Sequence, residues 1–173
     1  MRPLQYSVYK GMTGKWGAIQ FNMQDSHYFR DKEKDFTGEL ALANDGKLKE
    51  GWKIREGAVF MEITSTKDKN VYDWDNKVTV ALSTNDLGKL LLGLKTGNEV
   101  KLMHDPGAKS DTAGAVQKHV NISSPNGTAE GCMIRVSQTS GGTTKTHTVP
   151  LSGDELLVLA TLVQTAISRS LGW

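Results

Sequence analysis

One junction occurs twice in this chain and limits what it can fold into. In residues 71–94, VYDWDNKVTVALSTNDLGKLLLGL, a turn, a strand and a helix follow one another directly. The alternating, β-branched run 77–82 (KVTVAL) predicts a strand. Ser83 supplies an N-cap, and Asp86, three residues on, completes a capping box. Leu87, Leu90, Leu91 and Leu94 then recur at the spacing of one buried helical face. Near the C-terminus the device returns: Leu82-Ser83-x-x-Asp86-Leu87 matches Leu151-Ser152-x-x-Glu155-Leu156 at an offset of 69 residues. Both junctions follow β-rich sequence and open an apolar helix. The chain therefore reads as an internal repeat of two units, each of several strands ending in one helix.

The 173 residues suit a single domain, 1–173, with a sizeable core. With 38% hydrophobic and 23% charged residues, neither a disordered nor a membrane-spanning chain is indicated. The longest apolar run, 156–160, is far too short to span a bilayer. A net charge of +2 decides little, but the first 24 residues carry Arg2, Lys10 and Lys15 and no acid. The single cysteine, Cys132, excludes an internal disulfide and suits a reducing compartment. No signal or transit segment is visible, which points to a cytoplasmic, not secreted, protein.

Taken in order, residues 5–9 and 15–23 predict two strands, the second with Trp16, Ala18 and Gln20 on one face and Gly17, Ile19 and Phe21 on the other. A charged insertion follows at about 25–49, with a short strand at 39–43 before the turn Asn44-Asp45-Gly46. Residues 52–55 and 58–66 read as a hairpin turning at Glu56-Gly57. Beyond the first helix come strands at 99–104, 116–123, 132–138 and 143–149, separated by Asp105-Pro106-Gly107, Pro125-Asn126-Gly127 and Ser140-Gly141-Gly142. The second helix covers about 153–170. The expectation is an α+β fold with antiparallel sheets in the order β4-α-β4-α.

The second helix carries charge only at Asp154, Glu155 and Arg169 and is apolar almost all round between them. A single packing face needs a stripe of only about 100°. Such a helix is either sandwiched inside the domain or shared with another subunit. The second reading makes Leu156, Leu159, Val163 and Ile167 an oligomer interface.

No enzyme chemistry is legible. His27, His104, His119 and His147 have no metal-type spacing to one another or to Cys132, and no cofactor motif is present. There is no nucleophile elbow, phosphate loop or dinucleotide fingerprint. His104-Asp105 is read as a strand end at a turn. Basic residues interleaved with aromatics do stand out in the first half: Lys10, Lys15, Trp16, Trp52, Lys53, Tyr72, Trp74 and Lys77. A single nucleic-acid strand needs this pairing, with cations for phosphates and flat side chains for unstacked bases. The competing reading of Trp16, Trp52 and Trp74 is ordinary core aromatics. The neighbours Lys15-Trp16 and Trp52-Lys53, if on strands, point to opposite faces. The first strand is an expected sheet edge, where glycines 11, 14 and 17 would let a ligand approach the backbone.

These residues carry a resemblance to the Whirly family of single-stranded DNA-binding proteins. Residues 7–11 (SVYKG) resemble the family's opening strand, whose Lys-Gly-Lys motif is loosened here to KGMTGK by the insertion Met12-Thr13-Gly14. Tyr72-Asp73-Trp74 with Lys77 looks like the family's YDW-x-x-K. Residues 82–88 resemble its Leu-Ser helix start, His104-Asp105-Pro106 its His-Asp-Pro, and Leu171-Gly172-Trp173 its terminal Gly-Trp. The resemblance implies two four-stranded antiparallel sheets, each followed by a helix. It also implies a homotetramer with its helices central, and single-stranded DNA held along sheet edges in replication, recombination or repair. RNA binding, or transcriptional regulation, on the same fold is the first alternative, and a structural interaction protein the second. Lacking the plant members' transit peptide, the chain reads as a compact version from a bacterium or phage-infected cell.

Overall fold

The computed structural model describes residues 4–12 and 14–172. Thr13 of the loosened basic motif, Trp173 of the terminal motif and Arg2 lie outside the described residues. In chain order the elements are β1 (Gln5–Tyr9), β2 (Gly17–Gln24), β3 (His27–Arg30), β4 (Glu33–Asp35), β5 (Lys53–Arg55), β6 (Ala58–Asp68), β7 (Val71–Tyr72) and β8 (Val78–Leu82). Then come α1 (Thr84–Thr96), β9 (Val100–His104), β10 (Val116–Ser123), β11 (Cys132–Ser140), β12 (Thr143–Leu151) and α2 (Gly153–Leu171).

Two antiparallel sheets carry the fold. One runs β1-β2-β6-β8, with the two-residue β7 paired to the far end of β6; the other runs β9-β10-β11-β12. Each ends in a helix, so the α+β order β4-α-β4-α holds. Registers align the inward rows. Val8, Ile19, Ile63 and Val78 face one another across the first sheet. Val100, Ile122, Ile134 and Val149 do so across the second, and all eight are buried. Leu87, Leu90 and Leu94 of α1 and Leu156, Leu159 and Val163 of α2 join the same core. Ser83 N–H donates to Asp86 (3.0 Å) and Ser152 N–H to Glu155 (2.8 Å), so the two junctions repeat in structure as in sequence. Both helices end at a left-handed glycine, Gly97 and Gly172.

The structure corrects four expectations. Residues 52–55 do not form a hairpin with β6, because β2 and β8 already occupy both edges of β6. Instead β5 pairs with β3, and the order β4-β3-β5 makes a small third sheet from the insertion. Residues 39–43 form turns, with one bridge between Leu42 and Leu48. Lys15 and Trp16 precede β2 and lie in the β1–β2 loop. The ladder closes at Gly17, whose carbonyl accepts from Lys10 N–H (2.9 Å). Finally, Leu156, Leu159 and Val163 are buried in the protomer's own core and Ile167 packs partly against it. The three buried side chains offer no surface to a second copy, whereas the half-buried Ile167 stays partly open. The exposed apolar side chains of α2 are Leu157 (67%) and Val158 (49%).

Candidate nucleic-acid interface

β1 is an edge strand of the first sheet. Its alternation buries Val8 and turns Tyr9 outward, 51% exposed. Tyr9 Oη accepts a hydrogen bond from Gln20 (3.0 Å), and its ring meets Tyr72 at a centroid distance of 5.3 Å and 58° between planes. Tyr72 lies opposite Thr66 in the ladder, and Thr66 N–H donates to Trp16 O (2.9 Å). Tyr9, Trp16 and Tyr72 thus gather at one end of the sheet. The half-buried Trp74 stands two residues on, in the 3₁₀ turn Trp74–Asn76. Tyr9, Lys10, Met12 and Trp16 form one wall of an open groove of about 580 Å³; Glu130, Pro150 and Ser152 form the other.

The lysines here differ in what they are free to do. Lys10 Nζ bonds both Glu155 oxygens (2.8 and 2.7 Å), tying the loop to the start of α2. Burial alone would raise the Glu155 pKa, but the Lys10 ammonium and Ser152 hold it below the usual range. Lys77 pairs with Glu62 (2.6 Å), and Lys67 with Asp73 (2.9 Å). Lys15 is exposed, with Nζ 5.1 Å from the Trp16 ring centroid, and makes no ion pair among the described residues. The expected facing-apart of Lys15 and Trp16 does not occur, since neither is on a strand.

The loop's glycines also act differently from expectation. A Cβ on Gly11 would lie 1.7 Å from Asn70 Oδ1, and one on Gly17 1.7 Å from Thr64 O. Both admit the protein's own chain, not a ligand. Gly14, at φ +68°, faces open space.

Trp52 and Lys53 do not join this cluster. They belong to the insertion, which leaves the first sheet at Gln24 and re-enters it at Ala58, a pair at the far end of the β2–β6 ladder. The eight strand residues between put the two ends about 25 Å apart. Trp52 is 5% exposed beneath the Arg30 guanidinium, so its ring has no free face for a base. Asp105 is structural: it accepts Gly107 N–H (2.9 Å) and Gly114 N–H (2.7 Å), folding its own loop. The Cys132 thiol is buried, its pKa pushed up to about 12 by desolvation and then by Glu155. Among the described residues no group of three or more His, Cys, Asp or Glu is placed to hold a metal ion. None of the helices there is long and apolar enough to cross a membrane. Sequence reasoning omitted Tyr9. The signal was present, because Gln5, Ser7 and Tyr9 alternate outward immediately before Lys10.

Comparison with known proteins accords with this geometry. The chain is 30% identical over 149 residues to the mitochondrial single-stranded DNA-binding protein WHY2 of Arabidopsis thaliana, an alignment covering 80% of this chain. It spans 61% of that relative's length. The crystal structure of WHY1 from Arabidopsis thaliana superposes with a TM-score of 0.78 at 20% identity, covering 100% of this chain and 88% of that one. The plant transcriptional regulator PBF-2 gives a TM-score of 0.76 at 21% identity, covering 100% and 85%. These relatives are plant proteins and lend no support to a bacterial or phage origin. The model of the Whirly transcription factor family matches residues 38–162, well over half of the chain, and the protein belongs to the Whirly family.

Proposed function

We propose that this protein binds single-stranded DNA, largely independently of sequence, at the groove beside the β1–β2 loop. The observation that carries the reading is the free Lys15 beside the half-buried Trp16, at the mouth of a groove that Tyr9 also lines. The rings can stack on unstacked bases and the ammonium can meet phosphate, neither of which selects a base. The named function of the WHY2 relative supports the choice of DNA. A sequence-independent grip suits replication, recombination and repair, which expose single strands of any sequence. The test is a titration with single-stranded DNA, duplex DNA and RNA of equal sequence at two salt concentrations. Single strands should win, with an affinity that falls as salt rises. Equal or tighter duplex binding would refute the proposal, and tighter RNA binding would move it to RNA.

The same reading makes the protein a homo-oligomer, most simply a tetramer, through a surface other than the one expected from sequence. An apolar groove of about 420 Å³ runs between Leu4, Tyr6 and the exposed Leu157 and Val158. Burying it against a second copy would remove those side chains from water. Leu157→Asp should release protomers without unfolding them. Light scattering that finds a monodisperse monomer for the parent chain would end this part.

A further inference from the structure

The insertion's small sheet has an open face that the groove does not use. Directly opposed residues of an antiparallel pair share a face. Phe29 of β3 opposes Lys34 of β4 on one side and Lys53 of β5 on the other. His27, two residues earlier and so on the same face, opposes Arg55. Phe36 covers His27, with ring centroids 5.1 Å apart, and His27 in turn lies 6.4 Å from Phe29. One face therefore presents adjoining aromatic rings bordered by three cations.

These cations are uncommitted. Lys34, Lys53 and Arg55 are exposed and make no ion pair or side-chain hydrogen bond among the described residues. Three acids of the same segment are already engaged, while Asp31, Glu39 and Glu50 are exposed but stand outside the paired positions of the small sheet. Glu33 pairs with Arg30 (2.9 Å), and Asp25 accepts from Arg169 Nε (2.7 Å). The Asp35 carboxylate collects backbone N–H groups of Thr37, Gly38, Leu40 and Ala41. Phe36 is 60% exposed, so that one side of its ring packs on His27 and much of the rest meets water. Trp52 and Ala41 are the insertion's buried apolar side chains.

We infer that this face is a second contact site for single-stranded nucleic acid, with Phe36 and Phe29 against bases and Lys34, Lys53 and Arg55 toward phosphates. A face whose paired positions carry three free cations and no acid complements a polyanion, and two part-exposed phenylalanines offer too little apolar area for a protein interface. The inference extends the proposed function and rests on it. The two sites lie at opposite ends of the β2–β6 ladder, so a long strand can engage both and a short one only one.

The test uses the full chain, fluorescent oligothymidine of short and long length, and ultraviolet crosslinking with peptide mapping. Phe36→Ala should weaken binding of the long oligonucleotide about fivefold or more. Lys34→Gln with Lys53→Gln should flatten its salt slope by about 1.4, at 0.7 per phosphate contact. Crosslinks should map to residues 27–36 as well as to the β1–β2 loop. Circular dichroism and light scattering check each variant; if Phe36→Ala unfolds the insertion, the lysine pair and the crosslink map decide. Parent-like affinity and slope, with crosslinks confined to the β1–β2 loop, would overturn the second site and leave the first standing. A parent chain that binds no single strand would overturn both.

Discussion

The two β4-α units share a plan and differ in chemistry. The first unit carries every Phe and Tyr of the chain and three of its four Trp, all between residues 6 and 74. Residues 75–172 contain none of these. Yet the second sheet buries its inward rows about as completely as the first, using Val, Ile and Leu with Cys132 and His147 and no Phe, Tyr or Trp. Aromatic residues are thus not what this fold needs to close its core. Phe21 is the one fully buried phenylalanine, whereas Tyr9 and Phe36 are more than half exposed. The difference teaches that the repeat is duplicated packing, on one copy of which the exposed aromatic side chains are gathered.

The largest expected effect tests the shared half of that comparison. Leu90 and Leu159 occupy the same position 69 residues apart, and both have 0% exposure. Leu90→Ala and Leu159→Ala should each cost about 2–5 kcal/mol by denaturant unfolding. Values differing by more than that range would mean that the two helices are not equivalent. The differing half is tested by Trp16→Ala, which should cost about 1–3 kcal/mol in single-strand affinity and little in stability. Should it bind like the parent, the aromatic bias would have lost its explanation as a binding surface.

A third prediction concerns where the units meet. His147 continues the inward row of Leu102, Val120 and Val136, but bonds across to the first unit at Ser65 Oγ (2.7 Å) and Asn76 O (3.1 Å). Burial, the largest influence, lowers its pKa from 6.5; the bond to Asn76 offsets this only in part. The unfolded chain then binds more protons than the folded one. Stability should be fully present above pH ~6.5 and fall as pH drops below it, by at most about 1.4 kcal/mol per pH unit. Thermal melts of His147→Gln should lack this slope. The smallest effect separates free from committed lysines. Lys15→Gln should flatten the salt slope by about 0.7, whereas Lys10→Gln should leave it nearly unchanged, since Glu155 already neutralises that ammonium.

Sequence alone determined the two junctions, the strand–helix order and the α+β class. These depend on neighbours within a few residues: β-branched alternation, a Ser with an acid three positions on, leucines at helical spacing. The first residues of the candidate site were legible for the same reason, as Lys15-Trp16 and Tyr72 stand in local sequence. Only the tertiary structure decided partners. Whether residues 52–55 pair with β6 depends on both edges of β6 being taken by β2 and β8, strands distant in the chain. Whether Lys10 or Lys15 is free depends on Glu155, 145 residues from Lys10. Whether Trp52 can stack depends on the Arg30 guanidinium and the fold around it, and whether Leu159 faces a subunit or a core depends on both sheets. Burial and ion pairing are set by contacts between segments far apart in sequence, and no pattern confined to one segment carries them.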